Sequence, residues 1–197
     1  MPKLTFNNLS TDKKQRIFDA AVLEFSSKPF KDASINQIIK KAQIPKGSFY
    51  QYFEDKEDLY LYMMKRIEAE KRDIIEHAAI NRDADIFEIL TEQIKVSFQW
   101  AMLRPDYGRI GILMWRDDSE FLIKFRSKTI ETLKKYIDRD KKSGLIKQEA
   151  DSDLISDMLI TLILNESFFA GLDEEKYFSK LKGVIEILKN GVTISCE

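Results

Sequence analysis

Apolar residues recur along this chain at three- and four-residue spacing with few breaks, the pattern of amphipathic helices that pack through one face. Ile17, Phe18, Ala21, Val22 and Phe25 form the first stripe, and Ser10 or Thr11 ahead of it can accept from the free N–H groups of a helix start. The stripe ends near Ser27, before Pro29, which disfavours helical geometry at Lys28. A second start lies at Ser34 with Gln37 three residues on, the spacing of a capping box. Ile35, Ile38, Ile39 and Ala42 follow on one face of a short helix ending near Lys41. A tight turn through Ala42, Gln43 and Ile44 leads to Pro45 and a brief helix from Lys46 to Tyr52 or Phe53. Asp55 then caps a long helix with Leu59, Tyr62, Met63, the Arg66 stem and Ile67 on one stripe, running to about Ile80.

Further helices are predicted over roughly 84–103, 107–116, 119–142, 151–170 and 174–189, punctuated by Arg104-Pro105, Ser143-Gly144 and Gly171-Leu172-Asp173. No repeat, low-complexity tract or strand pair interrupts them. Seven Gly and four Pro in 197 residues are too few for a turn-rich sheet protein, and 44% apolar content suffices for a core. The expected class is all-α with about nine helices. An N-terminal three-helix domain over 10–65, with a helix-turn-helix at about 33–52, precedes a larger helical domain over 66–197.

Projected at 100° per residue, Phe49 and Phe53 fall about 40° apart and face the small core, while Gly47, Ser48 and Gln51 point away and Tyr50 and Tyr52 lie on the flanks. An amide, a hydroxyl and two phenols suit a DNA major groove, since Gln reads adenine bidentately and Ser accommodates either base. Gly47 allows close backbone approach. Lys46, Lys56, Lys13, Lys14, Arg16, Lys40 and Lys41 surround that face and can meet phosphates. Charge distribution agrees: ten Lys or Arg stand against six Asp or Glu up to residue 56, and twenty-two against twenty-seven beyond it.

The run Phe30-Lys31-Asp32-Ala33-Ser34-Ile35-Asn36-Gln37-Ile38-Ile39, then Ala42 to Phe53, then Asp55-Lys56-Glu57-Asp58-Leu59, closely resembles the DNA-binding signature of the TetR family of bacterial transcriptional regulators. Arg16-Ile17 and Asp19-Ala20-Ala21 before Phe25 are also similar to that family, so the resemblance covers about residues 10–65. It implies DNA contacts by Ser34, Lys46, Gly47, Ser48, Tyr50, Gln51, Tyr52 and Lys56. Two departures stand out: Gln43 where the family often has Gly, and Pro45 where it often has Ser or Thr.

Met158 to Leu164 is apolar almost all round and must be buried on several sides. With the stripe Tyr177, Leu181, Val184 and Leu188, the residues Leu159, Leu162 and Ile163 are candidates for a two-fold four-helix interface, as in the homodimers of the resembled family; packing within one chain is the alternative. A dimer would present two reading helices about 34–36 Å apart to a near-palindromic operator. The resemblance further implies a partly apolar small-molecule effector that shifts this spacing and releases DNA. Trp100, Tyr107, Met114, Trp115, Phe121, Phe125, Phe168 and Phe169, with Asn165 as a polar contact, are candidates for its pocket, although aromatics at helical spacing also make ordinary core.

Catalytic and metal chemistry find no constellation. His77 is the single histidine and Cys196 the single cysteine, too few for a zinc set or a Cys-His pair, and no Gly-rich phosphate loop precedes a helix. No enzyme activity and no cofactor are expected. The lone cysteine, the lack of an apolar leader and the absence of a long apolar run point to a cytoplasmic protein without a membrane partner. The expected function is a DNA-binding, ligand-responsive transcriptional regulator, of repressor type. The alternative is a helical dimer of the same fold acting through protein or small-molecule binding without DNA.

Overall fold

The computed structural model describes residues 2–78, 80–164 and 174–193. Its elements are α1 (Leu4–Asn7), α2 (Thr11–Ser27), a 3-10 turn (Phe30–Asp32), α3 (Ile35–Ala42), α4 (Lys46–Tyr52) and α5 (Lys56–His77). They continue with α6 (Ile86–Leu103), α7 (Pro105–Arg116), α8 (Glu120–Lys142), α9 (Ser152–Leu164) and α10 (Glu174–Val192). Apart from one isolated antiparallel bridge between Ile146 and Thr193, every described element is helical, as expected. None of the described helices is long and apolar enough to cross a membrane. The short α1 was not foreseen: four residues are too few to show a period.

Local chemistry accounts for the boundaries. Ser10 accepts from Lys13 N–H at the start of α2, and Lys28 turns extended before Pro29. Asp55 accepts from Asp58 N–H at 2.8 Å while the Asp58 carboxylate accepts from Glu54 N–H, a reciprocal pair that starts α5. The capping box expected at Ser34 does not form. Its hydroxyl makes no capping bond, and its N–H donates instead to the Glu24 carboxylate at 3.1 Å.

The chain folds into two compact units, one comprising Met1–His77 and Phe98–Ile123, the other Ala78–Ser97 and Lys124–Glu197. In the first, α2 packs on α3, α5 and α7. Phe25, Phe30, Tyr60 and Phe121 form an aromatic group there, with Phe121 4.9 Å from Phe30 between ring centres. The Asp117 carboxylate, buried at the α7–α8 corner, accepts from Lys31 N–H at 3.1 Å and so fixes the turn before α3.

The second unit has its own core of Ile86, Phe87, Ile94, Ile137, Ile146, Ile155, Leu159, Leu181 and Ile185. Asp140, fully buried, accepts from Ile86 N–H at 2.7 Å and closes the start of α6 from a distance. Lys189 reaches Asp85 at 2.6 Å.

Candidate nucleic-acid interface

The turn between α3 and α4 depends on Gln43, the one non-glycine residue with positive φ among those described (φ 54°, ψ 47°). In this left-handed conformation its N–H reaches the carbonyls of Ile39 and Lys40, Ile44 N–H reaches Ile39, and the Ile44 side chain enters the core. That is the usual geometry of a glycine C-cap, here adopted by a residue with a Cβ at a cost of about 1–2 kcal/mol. The family-type turn therefore forms without the glycine.

Pro45 sits at the N-cap of α4, and Phe49, Tyr52 and Phe53 bury beneath it. Lys46, Gly47, Tyr50 and Gln51 are exposed and Ser48 is half-buried, so the expected reading face is presented outward. The Gln51 amide and Ser48 hydroxyl make no bond among the described residues. Tyr52 differs from expectation: it is 6% exposed, its ring lies 6.2 Å from Phe6, and its hydroxyl takes a 3.0 Å hydrogen bond from Lys13. Three-residue spacing from Phe49 puts it about 60° from that buried ring, and this is the signal the projection carried.

The basic residues divide in two. Lys14 donates to the Asn7 carbonyl, Arg16 pairs with Asp12 and donates to the Ala42 carbonyl, and Lys41 pairs with Glu24 at 3.5 Å. Lys56 lies over the Phe30 ring and donates to the carbonyls of Lys31 and Ala33 at 3.1 and 3.0 Å. Burial pushes its pKa down, partly offset by Asp117 and Asp32, so it holds the turn before α3 as well as bearing charge. Lys40 and Lys46 make no hydrogen bond or ion pair among the described residues. Glu24 is buried beneath this surface. Burial alone would raise its carboxyl, but the Ser34 N–H, Lys28 and Lys41 outweigh that and hold it below its ordinary value.

The carbonyl end of α4 is held by residues that sequence reasoning passed over. The Lys3 ammonium donates to the Tyr50 carbonyl at 3.0 Å, the Thr5 hydroxyl to the Gln51 carbonyl, and Lys3 N–H to the Tyr52 carbonyl at 2.8 Å.

The candidate effector residues differ in burial. Trp100 is buried, with its indole N–H on Glu70 and its ring 5.7 Å from Tyr107, which in turn meets Phe18 of α2 at 6.2 Å. Phe121 packs on Phe30 and Tyr60 as core, while Met114, Trp115 and Phe125 are half-buried. Asn165, Phe168 and Phe169 lie outside the described residues. Lys71, half-buried, stands over the Trp100 ring at 5.8 Å; burial lowers its pKa, and Glu68 is the carboxylate that offsets this.

Of the expected dimer residues, Leu159 and Leu181 are each 1% exposed and belong to the chain's own core, with Ile163, Tyr177 and Leu188 packed against it. Each helix has an inner face to fill first, and these residues fill it. Leu162 and Val184 are half-buried. The large apolar residues that α9 and α10 leave exposed are Leu154 (57%), Met158 (40%) and Ile187 (74%).

A three-helix unit with a short, outward-facing polar helix after a tight turn is a helix-turn-helix DNA-binding module. Residues 17–63 match the family model of bacterial regulatory proteins, tetR family, and the chain as a whole is similar to transcriptional regulators of that kind. It is 24% identical over 194 residues to the fatty acid metabolism regulator protein of Bacillus subtilis, covering 91% of this chain and 95% of that one. A TetR family transcriptional regulator from Chloroflexus aurantiacus shares the fold with TM-score 0.75 and 25% identity, over 99% of this chain and 100% of that one. The regulator FadR from Bacillus subtilis, in complex with stearoyl-CoA, aligns with TM-score 0.69 and 21% identity, over 90% of this chain and 98% of that one.

Proposed function

We propose that the chain is a repressor that binds a near-palindromic operator as a homodimer and is released by a small molecule. In this reading, residues 10–65 carry DNA recognition and the remainder carries effector binding and dimerisation. The observation that carries the DNA part is the outward face of α4, where the Gln51 and Ser48 side chains, like the ammonium groups of Lys40 and Lys46, make no hydrogen bond among the described residues. Gln51 and Ser48 read base edges, Ser34, Lys46 and Tyr50 meet phosphates, and Gly47 lets the backbone approach. Tyr52 and Lys56 act mainly by holding α4 and the preceding turn in place. Selection of bound fragments from random DNA tests this: Gln51→Ala should lose about 1–3 kcal/mol at one base pair per half-site. Uniform loss on every sequence would refute base reading.

The dimer face is the outer side of α9 and α10, where Leu154 and Met158 lie four residues apart and Ile187 lies four residues from Gly183. Paired Met158→Glu and Ile187→Glu substitutions should give a folded monomer in sedimentation experiments, and an intact dimer would refute this face. The effector has an apolar tail and an anionic head. Its support is the half-buried Lys71, which makes no hydrogen bond among the described residues, together with the acyl-CoA bound by the FadR neighbour. Palmitoyl-CoA should release operator DNA from the wild type and release it less from Lys71→Met. No release from either would exclude long-chain acyl-CoA.

A further inference from the structure

The four carbonyls in the last turn of any helix lack intrahelical partners, and in a seven-residue helix they are more than half of the total. In α4 all four are satisfied. Phe49 accepts from Phe53 N–H at 2.9 Å, and the other three, of Tyr50, Gln51 and Tyr52, accept from Lys3 and Thr5. The segment that supplies these donors lies ahead of residues 17–63, the span of the family match. It is anchored at both ends of its short helix. Phe6, 2% exposed, stacks among Phe53 at 5.0 Å, Tyr62 at 4.8 Å and Tyr52, and Lys14 donates to the Asn7 carbonyl at 2.8 Å.

We infer that this N-terminal arm is part of the DNA-reading device, with Thr5 as a positioning residue that sets where Gln51 stands. Short helices fray from their ends, and the side chains of Tyr50 and Gln51 belong to the turn that frays first. A hydroxyl on the Gln51 carbonyl fixes the backbone from which the reading amide projects. The Lys3 ammonium adds positive charge at the negative end of the α4 dipole. The arm thus acts on selectivity through α4 geometry, and Lys40 and Lys46 make no bond to it.

The inference rests on α4 being the reading helix, and the test separates the two. Full-length Thr5→Val, Thr5→Ser and Gln51→Ala proteins are compared on the selected operator and on random duplex DNA. Thr5→Val, which keeps the shape and removes the donor, should bind operator roughly three- to tenfold more weakly, the range expected for one lost hydrogen bond. Its affinity for random DNA and its salt slope should stay those of the wild type. Thr5→Ser, which restores the donor, should recover operator affinity. Wild-type selectivity in Thr5→Val, equal loss on both DNAs, or failure of Thr5→Ser to rescue would each overturn the inference. Loss of base preference in Gln51→Ala alongside any of those outcomes would leave the reading role of α4 standing without the arm.

Discussion

Helices α4, α7 and α10 carry glycines that differ in whether packing among the described residues accounts for them. A Cβ added at Gly47 in α4 or at Gly183 in α10 meets nothing within 4 Å, whereas one added at Gly108 in α7 meets the Ala101 Cβ at 3.0 Å. Gly108 answers to the close passage of α7 beside the end of α6. Glycine within a helix costs about 0.5–1 kcal/mol relative to alanine, and Gly47 and Gly183, like Gly111 and Gly191, have no packing cause among the described residues. For α4 the proposed cause is a DNA backbone, and for α10 it is the facing helix of a second copy. One region is polar around its glycine, with Ser48 and Gln51. The other is apolar, with Ile187.

Alanine at each position breaks or sharpens this comparison. The largest effect is expected at Gly108→Ala, where overpacking should cost about 1–3 kcal/mol and lower the thermal midpoint. Unchanged stability would mean that α6 and α7 part easily. Gly47→Ala should do the reverse to the fold, stabilising it by about 0.4–1 kcal/mol in denaturant titrations through the less flexible unfolded chain. Operator affinity should nonetheless fall by about tenfold, equivalent to about 1.4 kcal/mol. Retained operator affinity would show that DNA does not come close at this residue. Gly183→Ala should likewise stabilise the folded chain by about 0.4–1 kcal/mol at concentrations where it is monomeric. Its dimer should weaken several-fold in sedimentation equilibrium, and an unchanged dimer would move the contact elsewhere on α10.

The two regions also differ in how far they can be read from sequence. The helix-turn-helix is local: Ile38, Ile39, Phe49 and Phe53 declare their faces by spacing, and Asp55 and Pro45 mark starts within a few residues of where the helices begin. Even Gln43, the wrong residue type for a left-handed cap, is overruled by the burial of Ile44 beside it. What escaped was non-local. Thr5 meets a carbonyl 46 residues away, and no periodicity announces a four-residue helix. Nor does the nearly all-apolar run from Met158 to Leu164 in α9 say which side fills its own core. Leu159 and Met158 are adjacent and equally apolar, yet one is buried within the chain and the other exposed.

The smallest expected effect concerns charge, where each unit holds a lysine-paired carboxylate largely shielded from solvent. Glu24 pairs with Lys28 at 3.3 Å and Lys41 at 3.5 Å in the first unit, and Asp85 pairs with Lys189 at 2.6 Å in the second. For Asp85 burial works upward, but the Lys189 bond and the N–H groups of Glu88 and Phe87 hold the carboxyl below its ordinary value, as the Ser34 N–H and the two lysines do for Glu24. A depressed carboxyl favours the folded state fully above its unfolded value, 4.5 for Glu24 and 3.8 for Asp85, and that contribution is lost as pH falls through the lower folded value. Acid should therefore weaken both units. Glu24→Gln should remove only the share of the first, costing at most about 1 kcal/mol at neutral pH because both of its lysines are open to solvent. Denaturant midpoints measured from pH 6 down to about pH 3 should fall less steeply for Glu24→Gln than for the wild type, with Asp85→Asn showing its own flattening at lower pH. Parallel curves for Glu24→Gln and the wild type would mean that the carboxylate beneath the reading surface carries no folding-linked proton.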